Sequence, residues 1–116
     1  MRDDLSLFYF LRRVRMAKVE SKFQKDLMDE IRDLYPGCVI LKNDSGYIQG
    51  IPDWTILYKD KWAVLEAKRE EKAIRQPNQE YYVDKLNDMS YSSFVYPENK
   101  EEVLNQLSKR FGKPKK

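Results

Sequence analysis

The stretch GIPDWTILYKDKWAVLEAKRE, residues 50–70, contains two short apolar runs separated by a polar turn at residues 59–61. Runs of this length that are rich in β-branched and aromatic residues, with turn residues between them, are typical of β-strands. The stretch therefore predicts an antiparallel hairpin whose strands cover residues 53–58 and 62–68.

The charged residues of this hairpin are expected to meet at one end. Because side chains alternate between the two faces of a strand, Glu66 and Lys68 share a face. A turn at 59–61 pairs positions whose numbers sum to roughly 120, which brings Asp53 opposite them. A surface hairpin with solvated charges is the alternative, but the apolar run before Glu66 favours a central strand, where two charges on one face are unusual.

The remaining elements follow from apolar periodicity and turn residues. Apolar residues recur at spacings of 4, 4 and 3 between Phe23 and Leu34, which predicts an amphipathic helix that Pro36 and Gly37 end. The predicted elements are a helix over 19–35, a strand over 38–43, the hairpin, a helix from Pro77, a strand over 92–97 and a helix over 99–111. This order predicts an α/β fold with a mixed sheet covered by helices.

A boundary before Met16 is suggested by the strong helical pattern that follows it. Residues 16–111 would then form the compact domain, and residues 1–15 an N-terminal extension that either packs on the core or contacts a second copy. The whole chain has a formal net charge of +3, and five of its 22 basic residues lie in the last eight positions. The basic tail at 112–116 either contacts phosphate or keeps the terminus solvated.

Composition excludes several classes of site. The chain of 116 residues has no histidine, so catalytic triads, imidazole bases and histidine-ligated zinc are impossible. With a single cysteine, Cys38, no intrachain disulfide can form, which favours a reducing cytoplasmic setting. The longest apolar run, residues 5–11, is far shorter than the roughly 20 residues of a membrane span, so no membrane association is expected. Catalysis would depend on carboxylates, lysine, tyrosine or a hard metal.

A pair of carboxylates beside a lysine has a specific chemical use. Two nearby carboxylates repel each other unless a cation lies between them, and oxygen ligands favour Mg²⁺ or Mn²⁺. Such an ion polarises a phosphodiester and lowers the pKa of bound water, while a lysine orients that water or offsets charge on phosphorus. Asp53, Glu66 and Lys68 therefore predict a metal-dependent hydrolytic site.

The Pro-Asp pair and the Glu-Ala-Lys triplet, twelve residues apart, resemble the PD-(D/E)xK nuclease motif. Together with the order of elements over residues 19–96, they resemble its small phage-like virus-type replication-repair branch, called VRR-NUC. The resemblance implies a restriction-endonuclease-like αβββαβ core. It also implies that Asp53, Glu66 and the backbone carbonyl of Ala67 bind the metal, while Lys68 serves the attacking water.

Two more catalytic residues are implied by the resemblance. Glu20, on the first helix, would reach the metal directly or through water, although a helix dipole also favours an acid near a helix N-terminus. Gln79 would support Lys68 or touch the DNA backbone, with a plain helix-opening residue as the alternative. The candidate DNA-binding residues are Lys42, Arg69, Lys72 and Arg75; the alternative for each is a solvated surface position, as for most charged residues of this kind.

The expected function is that of a Mg²⁺- or Mn²⁺-dependent DNA endonuclease acting in replication, repair or recombination. A domain of this size has little surface for reading sequence, so selectivity for branched or junction DNA by a homodimer is a sensible extension. The alternative is a catalytically silent nuclease-like module that binds DNA or protein. The intact Asp53, Glu66 and Lys68 set favours the enzyme.

Overall fold

A computed structural model describes residues 4–115, with side chains from residue 5. It has three helices and one four-stranded mixed sheet, so the predicted α/β class is confirmed. The elements are α1 (Asp4–Leu34), β1 (Val39–Lys42), β2 (Trp54–Tyr58), β3 (Lys61–Ala67), α2 (Gln79–Met89), β4 (Ser92–Val95) and α3 (Lys100–Phe111). A 3₁₀ turn over Pro97–Asn99 precedes α3, because proline lacks the N–H that would extend β4 to residue 97.

The strands follow the order β1-β2-β3-β4, antiparallel from β1 to β3, with β3 and β4 parallel and joined through α2. The hairpin between β2 and β3 turns through only two residues, Lys59 and Asp60, so that Tyr58 pairs with Lys61. Paired positions therefore sum to 119, as in Trp54 with Leu65. The predicted three-residue turn was one residue too long, and Asp53 consequently lies opposite Glu66 itself.

The core lies between the sheet and the two helices α1 and α3. One face of β2 and β3 supplies Ile56, Ala63, Leu65 and Ala67, all with 0% exposure. The predicted alternation of β3 is thus confirmed. Against this face pack Leu27, Met28 and Ile31 of α1 and Val103, Leu104, Leu107 and Phe111 of α3. Helix α2 contacts β3 and β4, where Val64, Phe94 and Val83 are buried outside that cluster.

Helix α1 is much longer than the predicted helix over 19–35. It runs for 31 residues without a break at residue 16, since no glycine or proline occurs before Pro36. The apolar side chains near its start lie on all sides of the helix. They form no apolar stripe, so the sequence shows no helical periodicity in this part of the chain. They project from the core with 36–57% of their surface exposed: Leu5, Leu7, Phe8, Tyr9, Phe10, Leu11 and Val14. We call residues 4–15 the arm.

The chain termini and α2 differ in detail from the predictions. Helix α2 begins at Gln79, because Asn78 has a left-handed backbone with a φ of 70° and lies outside the helix. In the basic tail, the Lys115 N–H donates to the Leu34 carbonyl at 2.9 Å. Residues 1–3 of the predicted extension and Lys116 of the predicted tail lie outside the described residues. Across residues 4–115, none of the helices combines the length and the apolar character needed to cross a membrane.

Candidate active site

An open cleft of about 830 Å³ lies where the β2–β3 pair meets α1 and the start of α2. All five residues predicted as catalytic line it: Glu20, Asp53, Glu66, Lys68 and Gln79. Four elements or their ends thus bring together side chains that are up to 59 positions apart in the chain. The structure places the predicted set in one cavity.

Asp53 and Glu66 are joined by a hydrogen bond across the two strands. The backbone N–H of Asp53 donates to Glu66 Oε1 at 3.0 Å. The segment before Asp53 is held by Asn43, whose side-chain amide donates to the Pro52 carbonyl at 2.8 Å and whose N–H donates to the Asp53 carbonyl at 2.7 Å. Asn43, which the sequence indicated only as part of a turn, fixes how the aspartate enters the site.

Glu66 is a buried carboxyl group, with 4% of its surface exposed. Burial first, and then the nearby charge of Asp53, raise its pKa to about 7, although Lys68 acts in the opposite direction. The cost of ionising this group is therefore high unless a further positive charge arrives. A cation bound beside Glu66 would stabilise the ionised form of this buried carboxyl group.

Lys68 is also buried, and its ammonium group is held at two points. Lys68 Nζ lies 3.6 Å from Glu66 Oε2 and donates to the Ile74 carbonyl at 3.2 Å. Ile74 belongs to the connection between β3 and α2. Gln79 also binds this connection, because its Oε1 accepts a hydrogen bond from the Gln76 N–H at 2.7 Å. Gln79 opens α2, as expected, and its contact fixes the loop on which Lys68 rests.

Glu20 reaches the cleft from α1, where Gln24 Nε2 donates to its Oε2 at 3.4 Å. It also contributes to raising the pKa of Glu66, after burial and Asp53. Because α1 begins at Asp4, Glu20 lies in the middle of the helix, and the helix-dipole explanation of this residue is wrong. The remaining explanation for an acidic residue at position 20 is that its side chain lines the cleft.

Gly50 was not singled out by the sequence and decides how the cleft is closed. Its φ is +91°, and a Cβ atom there would lie 2.5 Å from Asn78 Cβ and 2.7 Å from the Pro77 carbonyl oxygen. The loop before Asp53 can therefore touch the segment before Gln79 only through a glycine. A glycine just before Ile-Pro-Asp was the available sequence signal.

The predicted DNA-binding residues separate into two groups. Arg69 lines the cleft. Lys42 Nζ lies 3.3 Å from Asp53 Oδ2 and 4.6 Å from the centre of the Trp54 ring, which places it at the edge of the site.

The other two predicted DNA-binding residues lie elsewhere. Arg75 stacks on the Phe94 ring at 3.8 Å and pairs with Glu80 at 2.8 Å, so its guanidinium group has structural partners. Lys72 is exposed on the connection after β3 and is not among the residues that line the cleft.

The donor chemistry of the cleft fits a hard divalent cation, although the side chains do not form a complete ligand set. Asp53 and Glu66, which are hydrogen-bonded neighbours in the cleft, offer carboxylate oxygens, which suit Mg²⁺ or Mn²⁺. Within the described residues, no three acidic or thiol side chains form a group that could hold a metal ion. Ala67 is fully buried at the end of β3, and a ligand role for its carbonyl stays a prediction.

Other residues of the cleft were missed by sequence reasoning. They are Arg13, Ser45, Gln49, Gly50, Ala73, Ile74 and Gln76. Arg13 was assigned to the extension at 1–15, and no local pattern connects it to residues 53–68.

No family model matches this chain, and no curated protein or solved structure is significantly similar to it.

Proposed function

We propose that this protein is a metal-dependent endonuclease that hydrolyses phosphodiester bonds in DNA. The observation that supports the proposal is the meeting of Asp53, Glu66 and Lys68 in one cleft, where the Asp53 N–H donates to Glu66 Oε1 at 3.0 Å. Glu20 and Gln79 complete the same wall. This set contains acceptors for a cation and a donor for a negatively charged reaction centre, which phosphodiester hydrolysis requires.

Each residue has a distinct part in the proposed reaction. Mg²⁺ or Mn²⁺ bound by Asp53 and Glu66 would supply Lewis acidity toward the phosphodiester and make the attacking water more acidic. Lys68 would orient that water or donate to a phosphate oxygen, because it lines the cleft and its Nζ lies 3.6 Å from Glu66 Oε2. Gln79 is a positioning residue that holds the loop beneath Lys68.

A catalytically silent DNA- or protein-binding module is the second candidate. It is favoured by the internal pairing of the charges, since Lys42 lies 3.3 Å from Asp53 and Lys68 lies 3.6 Å from Glu66. In such a module the lysines would neutralise the carboxylates permanently. Calorimetric titration with Mn²⁺ discriminates the two: heat that Asp53→Ala abolishes supports the enzyme, and its absence in the wild type supports the silent module.

Cleavage assays test the enzyme directly. The purified chain is incubated with linear and four-way-junction DNA, with and without Mn²⁺, beside Asp53→Ala and Lys68→Ala. Asp60→Ala and Lys61→Ala are matched controls, since these residues carry the same charges at the opposite, exposed end of the same hairpin. We expect cleavage that needs Mn²⁺ and is lost only in the first pair. Cleavage that survives both of these substitutions contradicts the proposal.

Selectivity for branched DNA and a homodimer are further parts of the proposal. The arm exposes seven apolar side chains, each about half accessible. Since full burial of such a side chain stabilises by about 1.5–3 kcal/mol, covering these stabilises by roughly 5–10 kcal/mol per copy. That amount is comparable with the cost of association, so a second copy docked through the arm is energetically reasonable.

The dimer is tested by measuring mass in solution. We expect Phe10→Lys, within the arm, to convert a dimer to a monomer, because a charge would be buried at the contact. Tyr81→Lys is the matched control, since Tyr81 is equally exposed on α2, away from the arm. A wild-type chain that is monomeric at high concentration refutes the dimer, and faster cleavage of junction than linear DNA supports branched-DNA selectivity.

A further inference from the structure

The cleft continues beyond the predicted catalytic residues along the start of α1. Arg13, Glu20 and Arg69 line the main cleft and also an adjoining depression of about 330 Å³, whose other lining residues are Met16 and Ala17. The two hollows therefore share a wall and form one groove. This groove leads from the carboxylates of the site toward the arm.

The balance of acidic and basic side chains differs between the two ends of this groove. The end at the paired strands carries carboxylates, which repel a phosphate unless a cation is present. The end at the arm is lined by two basic residues on different segments, Arg13 and Arg69, and by one acid, Glu20. Arg69 Nε is buried without a hydrogen-bond partner, with Glu70 Oε2 only at 3.5 Å. The Arg69 side chain as a whole keeps 30% of its surface exposed, so it is open to an acceptor oxygen that enters the groove from outside the protein.

We propose that Arg13 and Arg69 bind a backbone phosphate of the DNA strand, adjacent to the phosphodiester that enters the carboxylate site. Guanidinium groups present two parallel N–H donors to phosphate oxygens, which gives both affinity and orientation. Arg13 is then a substrate-binding residue, and it is the residue of the arm that lines the binding groove. The inference rests on the proposed DNA substrate and adds a residue that the motif does not contain.

The chain offers charge-matched controls for Arg13. Arg12 and Arg15 lie on the same exposed helical segment but on other sides of it, and neither is a residue of the groove. The three single alanine variants remove the same charge and introduce a good helix former, so all three should fold. Circular dichroism confirms that α1 is intact in each variant.

Binding is measured by fluorescence anisotropy with a labelled DNA duplex over a series of salt concentrations, with Ca²⁺ in place of Mn²⁺ to prevent turnover. We expect Arg13→Ala to raise Kd about tenfold. The slope of log Kd against log salt should fall by about 0.9, as for the loss of one phosphate contact. Arg13→Lys should keep the slope and recover part of the affinity, because the charge remains and the two-point contact is lost.

Equal effects of Arg12→Ala, Arg13→Ala and Arg15→Ala would overturn the inference, because a diffuse charge effect would then explain them. A wild-type chain that does not bind the duplex at low salt would overturn it as well. The proposed function fails separately. If Arg13→Ala selectively weakens DNA binding but no metal-dependent cleavage occurs, the phosphate-binding role of Arg13 is supported and the proposed nuclease activity is refuted. If metal-dependent cleavage occurs but the three arginine variants bind DNA equally, the nuclease activity is supported and the role of Arg13 is refuted.

Discussion

Replacing Glu66 by glutamine is expected to stabilise the protein at alkaline pH when no divalent metal is present. The side chain is 4% exposed, and its pKa rises from 4.5 to about 7 because of burial and the charge of Asp53. Glutamine keeps the shape of the side chain and an oxygen that accepts the Asp53 N–H. It removes the charge that the folded state accommodates poorly, and it also replaces the oxygen that lies 3.6 Å from Lys68 Nζ, so the pH-dependent part of the stability difference is the part that reports the charge.

The magnitude follows from the difference in pKa between folded and unfolded states. Below pH 4.5 the carboxyl is protonated in both states and imposes no penalty. Between pH 4.5 and about 7 only the unfolded state releases the proton, so the wild type loses stability as the pH rises. Above pH 7 the full penalty is about 3 kcal/mol, and the attraction of Lys68 is already included in the pKa.

Urea unfolding at a series of pH values from 4.5 to 8 measures this effect. We expect the stability of Glu66→Gln relative to wild type to increase by about 3 kcal/mol over that range, or roughly 10 °C in Tm. Glu71→Gln is the matched control, because Glu71 is an exposed acid on the connection after β3. Adding Mn²⁺ at pH 8 should stabilise the wild type and leave Glu66→Gln unchanged, since only the wild type has the ligand.

A stability difference that stays constant with pH would refute the reasoning about Glu66. The carboxyl would then ionise as easily in the folded protein as in the unfolded chain, which contradicts its burial beside Asp53. Stabilisation of both proteins by Mn²⁺ would refute the assignment of this carboxylate as a ligand and leave the pH argument intact.

Three further substitutions test the framework of the site by urea unfolding. Gly50→Ala should cost about 3 kcal/mol from steric overlap and backbone strain, whereas Gly37→Ala, with the same φ near +90° and open space around it, should cost about 1 kcal/mol; equal losses would contradict the close approach at Gly50. Lys59→Gly should stabilise the protein by about 0.5 kcal/mol, because Lys59 has a φ of 56°, which glycine adopts with less strain. A loss of stability would show that the contacts of the Lys59 side chain stabilise the protein by more than the backbone strain costs. Arg75→Ala should lose about 1 kcal/mol with its ring and carboxylate partners without changing the salt slope of DNA binding; a smaller slope would show that it contacts phosphate.

The fold was predictable where the sequence contains strong local signals. Turn residues and apolar runs identified all four strands and the helices that begin near residues 79 and 100, in the correct order. The start of α1 was missed, because its first apolar residues surround the helix and give no stripe. The hairpin pairing agrees with the predicted sum of roughly 120, but the turn is one residue shorter than predicted, since Lys59 adopts a left-handed conformation that lysine seldom takes.

The candidate site was predictable in part for the same reason. Asp53, Glu66 and Lys68 belong to one hairpin, so strand alternation and pairing were enough to bring them together. Gln79 and Glu20 came from the resemblance, and the structure places both at the cleft. Gly50 and Arg13 were missed because their importance depends on contacts between segments that are distant in the chain.

The sequence by itself determined the chemistry that is available: carboxylates and lysines without histidine, on strands whose alternation is fixed by backbone geometry. Tertiary structure alone decided the state of those groups. The side chains of α1, of the connection after β3 and of the start of α2 that surround the cleft bury Glu66 far enough to raise its pKa, and the unbroken course of α1 carries Arg13 to the cleft. Local periodicity records which side of an element is apolar, but burial and electrostatic coupling depend on what the rest of the chain places against it.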